Sequence, residues 1–179
     1  ATARGRRGHA ALERLPLGPG GPALRDWLAG PAAVPDDEVE PLAEFIERAV
    51  LPALGGATRV ERELPFRLRL PGGGIVSGAI DCLWRDGEGR WHVWDYKFTD
   101  PGGAMEESHA RQLGVYALAA AAALGLDEVH GALWYVGTGS ARSFAWDREA
   151  LAGLEAELDA DFARIGEIDP EPDPVILQL

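Results

Sequence analysis

Lysine is almost absent from this chain. Of its 17 Lys+Arg positions, sixteen are arginine and one, Lys97, is lysine. Cysteine is equally scarce, with Cys82 alone. That excludes an internal disulfide framework and any four-cysteine zinc or iron–sulphur site within the chain. A single thiol suits a reducing compartment, so a cytoplasmic location is expected. No apolar run approaches the ~20 residues that cross a membrane. The basic start is not followed by the apolar stretch of a signal peptide. The chain opens on Ala1 with no methionine, and we read it as a segment of something longer.

What is present is enough for one domain. The chain has 179 residues, 46% of them hydrophobic, which suffices to bury a core. The net charge of −12 argues, taken alone, against a nucleic-acid partner. The charge is uneven, however. Residues 1–25 hold five arginines against Glu13, and residues 58–100 balance seven basic against seven acidic side chains. The acid is concentrated in 26–50 and 147–173, as solvated helix faces would be. The neutral middle is where a polyanion is tolerated.

The chain divides into a helical part (1–57), an α/β core (58–146) and a C-terminal helix and tail (147–179). Residues 3–15 read as a helix with Leu12 and Leu15 on its apolar side, ended by the Pro/Gly-rich Pro16–Pro22 stretch. A second helical run covers 36–54, with a stripe of Leu42, Phe45, Ile46, Ala49 and Val50. The period then changes to that of strands: 59–70, a PGGG turn at 71–74, 75–85, a DGEG turn, and 90–98. An alanine-rich helix follows at 106–124, closed by Gly125. A buried-type strand at 129–136, a short edge strand at 142–146 and a helix at 147–165 come next, before a proline-broken tail at 169–174. The expected fold is α/β, a central mixed sheet built on an antiparallel β-meander and flanked by helices on both faces.

On the strand HVWDYKF (92–98), alternation puts Trp91, Val93, Asp95 and Lys97 on one face and His92, Trp94, Tyr96 and Phe98 on the other. On the preceding strand it groups Ser77, Ala79, Asp81 and Leu83. A three-residue loop, Gly87–Gly89, with Gly89 left-handed, pairs Leu83 with Val93, Asp81 with Asp95 and Ala79 with Lys97. A two- or four-residue loop puts the aspartates on opposite faces. In the three-residue register two carboxylates stand roughly 5 Å apart inside apolar strands. Such a pair is costly unless it shares a proton or binds a divalent cation, and oxygen ligands favour Mg²⁺ or Mn²⁺. Lys97 sits beside the pair, opposite the small Ala79.

Two carboxylates and an ammonium suit phosphodiester hydrolysis. Arginine stays protonated, whereas lysine is able to orient a water, take its proton or stabilise charge on phosphate. The plain alternative is a buried salt bridge between Lys97 and either aspartate.

The ordered set "RRGHAALERL", "GAIDCLW", "DYK" and "QLGVY" resembles the PD-(D/E)XK nuclease superfamily, and within it the RecB/AddA-like nuclease domains of helicase–nucleases. The resemblance in order and spacing runs from about residue 4 to 136. It implies that Asp81, Asp95, the Tyr96 backbone carbonyl and the His9 imidazole bind Mg²⁺ or Mn²⁺. Lys97 is then the catalytic lysine. Gln112 and Tyr116, one helical turn apart, support the site or contact DNA, with Arg111 beside them. Here Gly8 directly precedes His9, where related stretches separate the two. The cluster-binding cysteines of some relatives are absent, so no iron–sulphur cluster is implied. The implied partners are DNA, as a single strand, and helicase domains of the same polypeptide or complex, with no membrane. The rival reading is a catalytically inactive module that keeps the fold for DNA binding or docking.

The other candidates have plainer expectations. His92 faces away from Asp95 and reads as packing. His109 lies one turn before Gln112, His130 begins a buried strand, and the tryptophans at 84, 91, 94 and 134 read as core and rim. Glu61 and Glu63 alternate on the first strand. One of them is able to approach a cation, but ion pairs with Arg67 or Arg69 are the simpler expectation.

Overall fold

The computed structural model describes residues 3–17, 21–99, 104–168 and 177–178. The expected proline-broken tail at 169–174 and part of the Pro16–Pro22 stretch lie outside these residues. Five main strands form one sheet in the order β1 (Arg59–Arg69), β2 (Ile75–Arg85), β3 (Trp91–Lys97), β4 (Glu128–Tyr135) and β5 (Ser140–Asp147). The β1–β2, β2–β3 and β4–β5 pairs are antiparallel, and β3–β4 is parallel. A two-residue β6 (Leu177–Gln178) runs parallel to the start of β2. The fold is the expected mixed sheet on a meander. The parallel β3–β4 step requires a crossover, which α5 (Ala104–Leu124) supplies.

Two apolar layers hold the sheet. On one face pack α1 (Ala3–Arg14), α2 (Pro22–Ala29), α3 (Asp36–Phe45) and α4 (Leu51–Leu54), against Cys82, Trp84, Trp94 and Tyr96. On the other pack α5 and α6 (Arg148–Ile168), against Leu83, Val93, Leu133 and Trp146. The helix expected over 36–54 is continuous from α3 to α4, but one wide turn at Ile46–Val50 interrupts it, where the Leu51 N–H reaches back to the Ile46 carbonyl. Helix α2 is an addition to the sequence reading, started by Pro22 and anchored by the buried Leu24 and Leu28. Helix α5 ends at Gly125, whose φ of 67° only glycine adopts without strain. The Asp147 carboxylate caps α6 by accepting the Ala150 N–H.

Helix α1 is pinned where it crosses the sheet. Arg62 of β1 donates to the Leu15 carbonyl at 2.6 Å and the Glu13 carbonyl at 3.2 Å, which satisfies groups at the end of α1. Gly8 lies so close to β3 that a Cβ there would stand 2.0 Å from the Phe98 ring. The N-terminal arginines serve the fold as well: Arg7 pairs with Glu38, and Arg25 with Glu40 and Glu47.

The β2–β3 turn forms as the sequence implies. Gly89 has a φ of 90°, and Asp86 accepts the N–H groups of Glu88 and Arg90. The register follows, with Leu83 opposite Val93 and Cys82 opposite Trp94. Two expectations fail beyond that point. The ladder does not continue to the expected Asp81–Asp95 and Ala79–Lys97 pairs, because β3 parts from β2 after Trp94. Nor do Ser77 and Ala79 share a face with Leu83. Val76 and Ile80 pack in the same layer as Leu83, so the pleat inverts between Ile80 and Leu83. It inverts on β1 too, since Val60 packs with the N-terminal helices while Leu64, Phe66 and Leu68 pack with α5. Glu63, between them and opposite Asp81, has a φ of 46°. A left-handed residue on one strand resets the alternation, and both strands change phase together.

Candidate active site

The phase change and the parting of β2 from β3 create the site. Where the ladder stops, the Tyr96 N–H is no longer paired with a strand carbonyl. It donates instead to Asp81 Oδ2 at 2.9 Å. The Lys97 carbonyl points to β4, where it accepts the Val136 N–H at 2.9 Å. Strand alternation therefore turns the Tyr96 carbonyl to the opposite edge, the side of Asp81. The Tyr96 ring is buried among the N-terminal helices, edge-on to Phe45.

Asp95 is 1% exposed and is the one buried charged side chain among the described residues. Its Oδ2 stands 2.7 Å from Lys97 Nζ, but the angles do not make a hydrogen bond, so this oxygen has no donor. Burial, and next the Asp95 charge, push the Asp81 carboxyl up to about 8. His9 Nδ1 approaches Asp81 Oδ2 at 3.4 Å and Glu63 Oε1 at 3.8 Å. Burial pulls the imidazole pKa down, but Glu63, Asp81 and Asp95 outweigh it and hold it above the ordinary value. The Phe98 ring, 5.3 Å away, packs on His9 and fixes its place.

Lys97 is held from the α5 side. Its Nζ donates to Gln112 Oε1 at 2.8 Å, and Gln112 Nε2 donates to the Tyr116 hydroxyl at 2.8 Å. Tyr116 is buried, which raises its phenol, and lies edge-on to Phe66. The i, i+4 spacing of Gln112 and Tyr116 thus builds one relay from the core to the ammonium. His109, one turn earlier, is half-buried with an unpartnered Nδ1, and burial and then Lys97 lower its pKa.

The structure brings His9, Asp81, Asp95, Lys97, Gln112 and Tyr116 together. It does not bring Arg111 to them, because that guanidinium pairs with Asp161 on α6. His92 stacks on Trp84 and binds Asp86, on the other face. Glu61 pairs with Arg59, and Glu63 lies beside His9, so neither makes the expected pair with Arg67 or Arg69. Glu63 is the residue the sequence reading undervalued. Strand alternation alone gave no signal for it, because its own backbone conformation breaks that alternation.

A divalent cation fits this group. His9, Glu63 and Asp81 offer donor atoms within 4.8 Å of one another. The buried Asp95 Oδ2 accepts no hydrogen bond and has Lys97, at 2.7 Å, as its ion-pair partner, so the carboxylates of Glu63, Asp81 and Asp95 outnumber the ammonium and imidazole beside them. A cleft of about 320 Å³ lined by Arg6, His9, Ala10, Glu13, Glu63 and Asp81 gives access from solvent. Gln112 also borders a cavity of about 540 Å³ between α5 and α6, lined by Val76, Leu158 and Phe162. Among the described residues no helix is long and apolar enough to cross a membrane.

A search of curated proteins finds no match to the chain. The family model of the PD-(D/E)XK nuclease superfamily matches residues 1–174, nearly the whole chain, and the protein belongs to that superfamily.

Proposed function

We propose that this chain is a Mg²⁺- or Mn²⁺-dependent deoxyribonuclease that works exonucleolytically on DNA single strands. In this reading residues 1–179 form one nuclease domain of a RecB/AddA-like helicase–nuclease, acting in the cytoplasm on DNA ends during repair and recombination. Helicase domains of the same polypeptide or complex deliver the strand. The observation that carries the reading is the buried Asp95, with a donorless oxygen, between Asp81 and the single lysine. Membership of the superfamily supports the hydrolytic chemistry. The order of the His9, Asp81, Asp95–Lys97 and Gln112–Tyr116 motifs supports the RecB/AddA-like branch.

Asp81, Asp95, the Tyr96 carbonyl and the His9 imidazole would hold the cation. When bound, it supplies positive charge to the scissile phosphate and acidifies a water. The protein does the rest. The Lys97 ammonium donates to a non-bridging phosphate oxygen and stabilises the charge that develops there. Asp95 and Gln112 fix the ammonium from two sides, so it does not reorganise during the reaction. Tyr116 accepts from the Gln112 amide, which leaves the amide oxygen facing Lys97.

The test is incubation with linear and circular single-stranded DNA and with duplex DNA, each with Mg²⁺ or Mn²⁺. Wild type should degrade linear single strands and spare circles, and Asp95→Ala should be slower by about 10²–10³-fold. Equal rates for the two proteins would remove the catalytic reading. Cleavage of circles would remove the exonucleolytic part.

A further inference from the structure

Glu63 has no part in the chemistry above, yet its placement is specific. It stands on β1 opposite Asp81, between the pairs Arg62–Cys82 and Leu64–Ile80. Its φ of 46° is one that side chains with a Cβ rarely adopt. Among the described residues its ion-pair partner is His9, at 3.8 Å. Its carboxylate shares the space within 4.8 Å with donor atoms of His9 and Asp81 and opens on the same cleft. The second observation is independent of that cluster. Asp95, whose charge is felt by both His9 and Asp81, is fully buried with an oxygen that has no donor. Glu63 and Asp81 therefore share His9 as cationic partner on the α1 side, and the neighbouring Asp95 has Lys97 at 2.7 Å, so three carboxylates face two cations. The excess negative charge is relieved by a proton on Asp81 or by a bound cation.

We propose that Glu63 is a further side-chain ligand of the cation, and that the resulting set makes the site prefer Mn²⁺ to Mg²⁺. The inference rests on the metal-dependent reading above and deepens it. Mg²⁺ gives up water reluctantly and is usually held by one or two carboxylates, with waters filling its octahedron. A set of three carboxylates, an imidazole and a backbone carbonyl displaces most of those waters. Mn²⁺ accepts carboxylates and tolerates an imidazole nitrogen beside them. The left-handed backbone at Glu63 fits the same purpose, since it resets the strand phase at the position facing Asp81.

The experiment is a calorimetric titration of the metal-free chain with Mn²⁺ alone, then with Mg²⁺ as competitor. Variants are Glu63→Gln, which keeps the shape, and Glu63→Gly, which suits the left-handed backbone and so secures folding. Thermal unfolding of the metal-free proteins reports that each is folded. Wild type should bind Mn²⁺ and yield it only to a large excess of Mg²⁺. Both variants should bind Mn²⁺ about 10-fold or more weakly and show a narrower preference. Wild-type Mn²⁺ affinity in both variants, with binding lost in Asp81→Asn, overturns the role of Glu63 and leaves the metal-dependent reading intact. An equal loss for both ions overturns the preference. A wild-type protein that binds neither ion overturns the metal-dependent reading itself.

Discussion

Lys97 Nζ stands 2.7 Å from Asp95 Oδ2, two residues back along the same strand and on the same face. The Lys97 side chain is 15% exposed, and its ammonium also donates to Gln112 at 2.8 Å. A guanidinium is longer, planar and always protonated. It does not fit between Asp95 and Gln112 without displacing one of them. Lys97→Arg should therefore fold, keep its Mn²⁺ affinity within a few-fold, and lose cleavage by about 10²-fold or more. Circular dichroism, calorimetry and a linear-DNA assay check the three parts. Cleavage at the wild-type rate would show that this position needs only a positive charge.

The Asp81 carboxyl gives a pH dependence with a definite sign. Burial and then Asp95 raise it from 3.8 to about 8. The unfolded chain releases that proton near the ordinary value. Between the two values the native state binds more protons, so metal-free stability falls as pH rises through the window. The raised pKa of His9 acts in the same direction, because its contribution is full below 6.5 and is lost as pH climbs through the folded value. Asp81→Asn removes the first effect. In thermal unfolding with chelator, its stability relative to wild type should improve from pH 5 to pH 9, by on the order of a few kcal/mol. A constant difference across that range would mean that Asp81 is already ionised at low pH.

How much of this was legible depends on how local each cause is. The β2–β3 register was readable because Gly89 and Asp86 encode the turn within five residues. The Gln112–Tyr116 pair was readable because helical spacing alone brings the two together. Helix α2 was obscured by the surrounding prolines and glycines, and its two buried leucines were too few to announce it. The pleat inversion at Glu63 and Asp81 left no trace, because a glutamate gives no sign of a left-handed backbone. Arg111 neighbours Gln112 in sequence, but its direction was decided by Asp161, fifty residues away. The partner of Glu63 was likewise decided at long range, by where α1 crosses the sheet.

The relay from Tyr116 to Lys97 predicts graded effects. Gln112→Ala removes the acceptor that orients the ammonium and should lower kcat by about 10–100-fold, with little change in KM for DNA. Tyr116→Phe removes only the acceptor for the Gln112 amide and should cost less. Gln112→Glu keeps an oxygen facing Lys97 and should recover part of the rate. If Gln112→Ala raised KM with kcat unchanged, Gln112 would be a DNA contact rather than a positioning residue.

Gly8 of α1 lies directly against the Phe98 ring, one residue past the end of β3, and immediately precedes His9. A methyl group at this position meets the Phe98 ring at 2.0 Å, so either the ring swings or α1 lifts. Phe98 also packs on His9, so both responses disturb the imidazole. Gly8→Ala should cost about 1–3 kcal/mol in urea unfolding and weaken Mn²⁺ binding. Phe98→Leu removes the colliding ring edge and, combined with Gly8→Ala, should restore stability beyond the sum of the two single changes. It should not restore Mn²⁺ affinity fully, because the ring that holds His9 is gone. Additive losses in that cycle would mean that Gly8 and Phe98 are not in contact, and that the position of His9 is set by the Arg62 cap at the other end of α1.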